Sequence, residues 1–220
     1  MNEFLKLFKR EMKISWLNLS NLFSYISFFF LGILIFIFSI GSDLEKLSQL
    51  FEPIVWVIFL FSIILGSENF IKNDYNDGSL KELQFLGFSE ELIIFTKSFV
   101  MWIILIFPSI FFLPLCSLMF SIEFIELLNL LSNILVASPS LILLSVLSSL
   151  ISMQMKNKIL PFVVILPFYI PVLIFSTSGE KISLFNNTEN STFFILIAIF
   201  FITLPLALII GKLILKEINN

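Results

Sequence analysis

"NDYNDGSLKELQFLGFSEELIIFTK", residues 73–97, is a polar and mainly acidic stretch in the middle of a chain that is otherwise largely apolar. Of the 220 residues, 58% are hydrophobic and 13% are charged, whereas a soluble domain carries about 25% charged residues. Long charge-free runs lie on both sides of the stretch. The composition argues against a water-soluble fold, and we interpret the stretch as a connection between membrane-spanning segments.

The charge-free runs predict six membrane-spanning helices. A span needs about 20 apolar residues, and its backbone polar groups must pair within the span, which selects helices. The second run, residues 53–67, reaches this length by continuing through Glu68 to Ile71. The expected spans are residues 22–40, 53–71, 98–122, 127–155, 159–178 and 191–215. The predicted fold class is an all-α polytopic membrane protein, with residues 1–220 as a single membrane domain and residues 72–97 as a cytoplasmic coupling loop.

The distribution of basic residues predicts that both termini are cytoplasmic. With six spans, all Lys and Arg residues fall on the side of the N-terminus except Lys46 and Lys181. Basic residues are enriched in cytoplasmic loops, so we expect a multi-pass protein of the bacterial inner membrane. A cleaved signal peptide is the alternative for the first span, but the charge-free run is longer than the usual signal core of about 7–15 residues.

An amphipathic helix is predicted ahead of the first span, over residues 1–21. Apolar side chains recur there at helical spacing: Leu5, Phe8, Met12, Trp16 and Leu19. The basic residues fall mostly elsewhere around the helix: Lys6, Lys9, Arg10 and Lys13. Such a helix is suited to the interface of the lipid bilayer. The alternative is a solvated basic tail.

The opening stretch carries the local signals of a short helix bounded by two turns. Asp77-Gly78 indicates a turn, because glycine accepts a positive φ. Ser79, with Glu82 three residues later, is typical of a capping box that starts a helix. Gly87 can end that helix in the left-handed conformation.

A second helix is expected to follow and to lead through Lys97 into the third span, with Ser89 as its cap. In the short helix, Leu80, Leu83 and Leu86 fall on one face, for which the sequence shows no partner within the chain. This pattern predicts a docking element that passes force into a span. The predicted docking residues are Asp74, Asp77, Gly78, Ser79, Leu80, Glu82, Leu83 and Leu86.

Two features within the spans are candidates for function. Pro167 and Pro171, in "LPFYIP", are dense enough to indicate a specific helix shape, since an interior proline removes a backbone donor and tends to kink a helix. Glu68 is a carboxylate that the second span could carry at membrane depth, where ionisable groups are functional candidates. A position at the interface is the equal alternative for Glu68.

The sequence predicts no catalytic, cofactor-binding or metal-binding residues. A phosphate-binding G-x-x-x-x-G-K-[ST] loop is missing, because Gly211-Lys212 is followed by Leu213. The chain is therefore not expected to be an enzyme, and ATP would be hydrolysed by a separate subunit. Without histidine, it offers no imidazole ligand for haem iron, and we expect Cys116 to serve packing. The net charge of −3 gives no indication of nucleic-acid binding.

Residues 68–97 resemble the signature loop of type-2 ABC export permeases. In that class an acidic residue and a Gly-Ser/Thr-Leu helix precede a break and a lysine that enters the third span. Within it the chain is similar to the haem exporter B family. The matching pieces are residues 53–56 with Trp56, Glu68 with Phe70, Asp74, residues 77–80, Leu83, and residues 138–140 and 166–175. Gly87 departs from the pattern, because members of this class often place proline at the break.

The resemblance implies a membrane subunit that works with an ABC ATPase, a haem-handling membrane protein and a periplasmic haem chaperone. Together these would support haem attachment to c-type cytochromes. Haem would be the exported ligand, or ATP would drive release of the haem-loaded chaperone. Two other hypotheses remain open. One is an export permease for another substrate, such as a lipid-linked glycan or a drug, and the other is a membrane scaffold without a translocation path.

Overall fold

The computed structural model describes residues 2–17, 19–155, 160–177 and 191–219. These residues form eight α-helices. The helices are α1 (Asn2–Leu17), α2 (Leu19–Ile40), α3 (Leu44–Asn76), α4 (Ser79–Phe85), α5 (Glu90–Met119), α6 (Phe124–Gln154), α7 (Leu160–Thr177) and α8 (Ser191–Asn219).

Five of the described helices, α2, α3, α5, α6 and α8, are long and apolar enough to cross a membrane. The apolar part of α7, Pro161–Thr177, is shorter. The prediction of an all-helical, polytopic membrane protein is confirmed by these helices and by the absence of strands from the described residues.

Helix α3 runs beyond the boundaries that charge alone suggested. It begins at Leu44, continues through Pro53 and ends at Asn76, so it has 33 residues. At about 1.5 Å per residue it measures roughly 50 Å, whereas the hydrocarbon core of a bilayer is about 30 Å thick. A helix of this length can therefore carry the charged residues of its last turns out of the apolar layer. The connection from α3 to α5, predicted as residues 72–97, therefore consists of residues 77–89 and contains α4.

Helix α6 forms the centre of the bundle and packs against α3, α5, α7 and α8. Most of its serines are buried, and Ser145, Ser148, Ser149 and Ser152 have 0% exposure. Small residues let helix backbones approach closely inside a membrane. The Oγ atoms of Ser149 and Ser67 lie 3.2 Å apart. The polar side chains of α6 thus join helices within this chain.

Helix α7 is a continuous helix although it contains Pro167 and Pro171. Both prolines lie on its exposed face, while Tyr169 and Val172 face the core. The hydroxyl of Tyr169 lies 2.8 Å from Ser145 Oγ of α6. The prolines therefore face away from the core of the chain rather than into a cavity between helices.

Candidate functional site

The turn predicted at Asp77-Gly78 is confirmed. Helix α3 ends at Asn76, with Asp77 as its C-terminal cap, and Gly78 has a φ of 73°. A Cβ atom added at Gly78 would have no neighbour within 4 Å. The requirement for glycine is therefore set by the backbone conformation and not by crowding. This turn separates the end of α3 from the start of α4.

The capping box predicted for Ser79 and Glu82 is wrong. Gly78 occupies the cap position, so Ser79 is the first residue of α4 itself. Ser79 Oγ instead donates back to Asp74, whose carbonyl oxygen and Oδ1 both lie 3.2 Å away. The Glu82 carboxylate lies 3.5 Å from the guanidinium of Arg10 in α1. Both side chains thus tie α4 to other helices.

The break after α4 has the glycine cap that the sequence predicts. Gly87 has a φ of 87°, and its N–H donates to the Gln84 carbonyl. The N–H of Phe88 donates to the Leu83 carbonyl at 3.3 Å, which completes a Schellman motif. The predicted cap at Ser89 is also confirmed, because Ser89 Oγ accepts from the N–H of Leu92 at 3.4 Å. Gly87 therefore supplies the break without a proline.

The leucine face of α4 does have a partner within the chain. Leu80 is 2% exposed and Leu83 is 0% exposed, and both belong to the main hydrophobic core. The expectation that these two side chains are free to enter a partner's groove is therefore wrong. The large apolar side chains that are exposed lie at the C-terminal end of α4: Phe85 is 85% exposed and Leu86 is 64% exposed. Phe85 was missed, although its position directly before Leu86 and Gly87 could have indicated it.

A buried cluster of charges connects three helices beside α4. Lys97 Nζ of α5 lies 2.7 Å from Glu11 Oε2 of α1 and 2.5 Å from Asp74 Oδ2 of α3. The side chains of Lys97 and Glu11 are each 1% exposed. The ring of Phe70 lies 5.3 Å from the same ammonium group. Removal of one partner of such a buried pair leaves an uncompensated charge, so the cluster holds α1, α3 and α5 in a fixed relation.

Arg10 extends this cluster to α4. Its Nη1 lies 2.8 Å from Glu11 Oε1, and its Nη2 reaches Glu82. The ion pairs and the Ser79–Asp74 hydrogen bond therefore form a closed ring through α1, α5, α3 and α4. Glu11 was missed as a functional residue. The available signal was a stripe of Leu7, Glu11 and Ser15 at four-residue spacing, all three of which are buried.

The end of α8 is fastened to the same region. Gln84 Nε2 of α4 donates to the Leu215 carbonyl at 3.2 Å, and Gln154 Nε2 of α6 donates to the Ile214 carbonyl at 2.9 Å. Lys212 Nζ lies 2.5 Å from the Glu91 carboxylate of α5. A displacement of α4 would therefore reach α8 as well as α1, α3 and α5.

The other candidate residues lie apart from the charge cluster. Trp56 is 1% exposed and packs its ring at 6.0 Å from that of Phe59. Glu68 is half-buried on α3, and none of the ion pairs among the described residues includes it. Cys116 is fully buried in the core, as expected for a packing role.

A family model described as "CcmB protein" matches residues 2–211, which include α1, the charge cluster and α4. The chain belongs to the CcmB family. The match extends from the first residues of α1 into α8, so membership rests on the whole helical bundle rather than on one motif.

Individual relatives agree with the family match. "Heme exporter protein B" of Haemophilus influenzae is 29% identical over 176 residues, which is 80% of each chain. "Heme exporter protein B" of Pseudomonas aeruginosa is 27% identical over 184 residues, or 83% of this chain and 82% of that one. An uncharacterized protein of Rickettsia conorii is 30% identical over 225 residues, covering 100% of this chain and 99% of its own. All three alignments thus cover at least 80% of both chains.

Proposed function

We propose that this chain is the membrane subunit of a haem-export system that serves the biogenesis of c-type cytochromes. The observation that carries the proposal is the CcmB family match over residues 2–211, together with relatives named heme exporter protein B. The polytopic helical bundle suits a transport subunit. Because the sequence has no phosphate-binding loop, the energy would come from an ABC ATPase as a separate partner.

The proposed topology has six spans with both termini in the cytoplasm. Helix α7 would be a crossing segment in addition to the five longer helices. Its apolar part is shorter, and its packing against α6 and α8 would hold it in the membrane. With this arrangement Lys72, Lys81 and Lys97 lie on the same side as the basic residues of α1, in agreement with the enrichment of basic residues on the cytoplasmic side. The membrane would be the bacterial inner membrane.

The proposed docking site for the ATPase is the outer side of α4 and the turns at its ends. Phe85 and Leu86 would be the apolar contacts, because they are large, exposed and next to the charge cluster. Asp77 and Glu82 would lie at the polar rim. Leu80 and Leu83 would act from within, by fixing α4 on the bundle. Asp74, Gly78 and Ser79 would set the direction in which α4 leaves α3.

Motion of α4 would pass into the bundle through the closed ring of ion pairs and the Ser79–Asp74 hydrogen bond. Glu82 and Ser79 contact α1 and α3, and Lys97 joins both of these helices to α5. Buried ion pairs are costly to separate, so these helices would move together rather than slide. In this proposal the third span is one of several helices that respond to the ATPase.

Haem would be either the exported ligand or a ligand of partner proteins that ATP hydrolysis releases. A haem-handling membrane protein and a periplasmic haem chaperone would be the further partners. The burial of the α6 serines in helix contacts favours a second candidate function, a scaffold for these partners without a path through this chain. An export permease for another substrate is the remaining alternative.

The proposal is tested by purifying the tagged chain from its own membranes and identifying what accompanies it. An ABC ATPase and haem-handling proteins are expected, with vanadate-sensitive ATP hydrolysis in the complex. Deletion of the chain is expected to abolish holo-cytochrome c while apo-cytochrome c is still made. Normal holo-cytochrome c in the deletion strain would rule out the proposed function. Recovery of glycan or drug-resistance enzymes in place of haem proteins would favour the alternative permease.

A further inference from the structure

Side-chain contacts fix which face of α1 packs against the bundle. Leu7 is 1% exposed, the ring of Phe8 lies 5.8 Å from that of Phe99, and Glu11 is bound to Lys97. These residues recur at three- and four-residue spacing and so occupy one face of the helix. The direction of every other side chain of α1 follows from this buried face.

Two surfaces remain on the side of α1 that faces away from the bundle. The apolar surface contains Leu5, Met12 and Trp16, of which Trp16 is 55% exposed. The adjoining basic surface contains Lys6, Lys9 and Lys13, all exposed. Among the described residues, none of the ion pairs includes these three lysines, whereas Arg10 is used by Glu11 and Glu82. The basic surface is therefore not neutralised by the described part of the chain.

The apolar surface ends in a groove. Beside Trp16, a cavity of about 370 Å³ opens between α2 and α5, with Phe23, Ile26, Ile103 and Phe107 among its lining residues. Its walls are almost entirely hydrocarbon. Lys13 lies one helical turn before Trp16, and Lys9 lies one turn before Lys13, so the mouth of the groove adjoins two free ammonium groups.

We propose that this groove and the two lysines form a binding site for an anionic phospholipid. One acyl chain occupies the groove between α2 and α5. The phosphate of the headgroup pairs with Lys9 and Lys13 at the cytoplasmic surface of the bilayer. A soluble phosphate would satisfy the lysines but would leave the apolar groove empty, so the arrangement favours a lipid. Interfacial helices bind through the same combination of buried apolar area and attraction to anionic headgroups.

The site places the lipid on the helix that completes the charge cluster. Glu11 is the α1 partner of Lys97, and it lies on the opposite side of α1 from the lipid surface. A lipid that holds Trp16 and Lys13 at the bilayer surface therefore also holds Glu11 against Lys97. The seating of α1 on α5 thereby comes to depend on the charge of the surrounding lipid.

The test uses the fluorescence of Trp16 in the full chain, reconstituted in nanodiscs. Brominated phosphatidylglycerol and brominated phosphatidylcholine are compared as quenchers at equal mole fraction, and a Trp16→Phe variant provides the signal of the other tryptophans. Trp16 is expected to be quenched more by the anionic lipid. Each lysine near the surface contributes about a fivefold preference, so Lys9→Gln with Lys13→Gln should remove most of it. High salt should weaken the preference through screening.

The control variants separate charge from folding. Lys9→Arg with Lys13→Arg keeps the charge and should keep the preference. Lys46→Gln, distant in the chain in the first turn of α3, should leave it unchanged. Ile103→Phe, which narrows the groove at a half-buried position, should reduce quenching by both lipids. Equal quenching of the wild-type chain by the two lipids would overturn the proposal, as would a preference that survives in the Lys9→Gln, Lys13→Gln variant.

Discussion

At the scale of single residues, the buried charged side chains are the positions where mutation is expected to lower stability most. Lys97→Met would remove the buried cation that Glu11 and Asp74 share, and Glu11, which is 1% exposed, would keep only the partly exposed Arg10. Loss of one partner of a buried pair typically costs about 3–5 kcal/mol, so the purified variant should melt at a clearly lower temperature. The matched control is Lys46→Met, whose partner Asp43 is exposed and screened by solvent.

The two melting curves give a direct comparison, recorded in the same detergent. Lys46→Met should melt with the wild-type chain. A further variant, Glu11→Gln with Lys97→Met, removes both charges and should recover part of the loss. Equal melting temperatures for Lys97→Met and Lys46→Met would contradict the role assigned to the cluster.

Residue-level prediction from the sequence succeeded where the cause is local. The positive φ of Gly78 and Gly87 and the cap at Ser89 follow from a few neighbouring residues, and all three are present. The partners of Ser79 and Glu82 were predicted wrongly, because Ser79 binds Asp74 across the preceding turn and the partner of Glu82 is set by tertiary packing. Glu82 meets Arg10, which lies far away in the sequence. A capping pattern indicates a helix start but does not show that a distant side chain competes for it.

At the scale of the elements, α4 has an exposed side and a buried side. We predict that mutation of the exposed side affects ATPase binding and that mutation of the buried side affects stability. Phe85→Asp changes an exposed side chain, so the chain should fold and melt normally but lose its ATPase on purification. Leu83→Ala removes a fully buried side chain, which typically costs about 2–5 kcal/mol, so it should lower the melting temperature of the chain itself. Retention of the ATPase by Phe85→Asp would refute docking through this side of α4.

The turn before α4 permits a matched pair of glycine variants. Gly78 and Gly41 both have positive φ, and a Cβ at either would meet nothing within 4 Å. A left-handed conformation costs an L-residue about 1–2 kcal/mol, so Gly78→Val and Gly41→Val should destabilise the chain similarly. Gly78→Val should in addition reduce ATPase co-purification and holo-cytochrome c, since it redirects α4. The docking site is contradicted if both variants support the same yield of cytochrome.

Element boundaries were predicted only as far as charge marks them. The second span was predicted to end at Ile71, and the charge pattern did not indicate that α3 continues to Asn76, because a helix can leave the membrane without a break. The buried face of α1 was also hidden, since Glu11 looks like a surface residue until Lys97 is placed beside it. Amphipathicity showed that α1 is a helix but did not show which side packs on α5.

At the scale of the whole molecule, hydropathy predicted the class of protein correctly, because the composition itself demands a bilayer. Hydropathy does not show which surface of the chain binds a partner. Nearly every described helix exposes large apolar side chains, such as Phe38 of α2 and Phe201 of α8, and lipid alone accounts for these. Phe85 differs because it belongs to a short helix outside the candidate spans, where lipid is not expected to cover it.

The number of spans is the remaining test at this scale, and it depends on α7. In a chain carrying Cys116→Ala, single cysteines at Gln49 and Asn187 should react with a membrane-impermeant thiol reagent on intact spheroplasts, and one at Asn76 should react only after permeabilisation. Gln49 precedes the apolar part of α3 and Asn76 ends that helix, so this pair fixes the orientation. Asn187 lies outside the described residues and follows α7. If α7 crosses the membrane, Asn187 shares the side of Gln49. If Gln49 reacts and Asn187 does not, α7 does not cross, the C-terminus lies outside and the six-span topology is wrong.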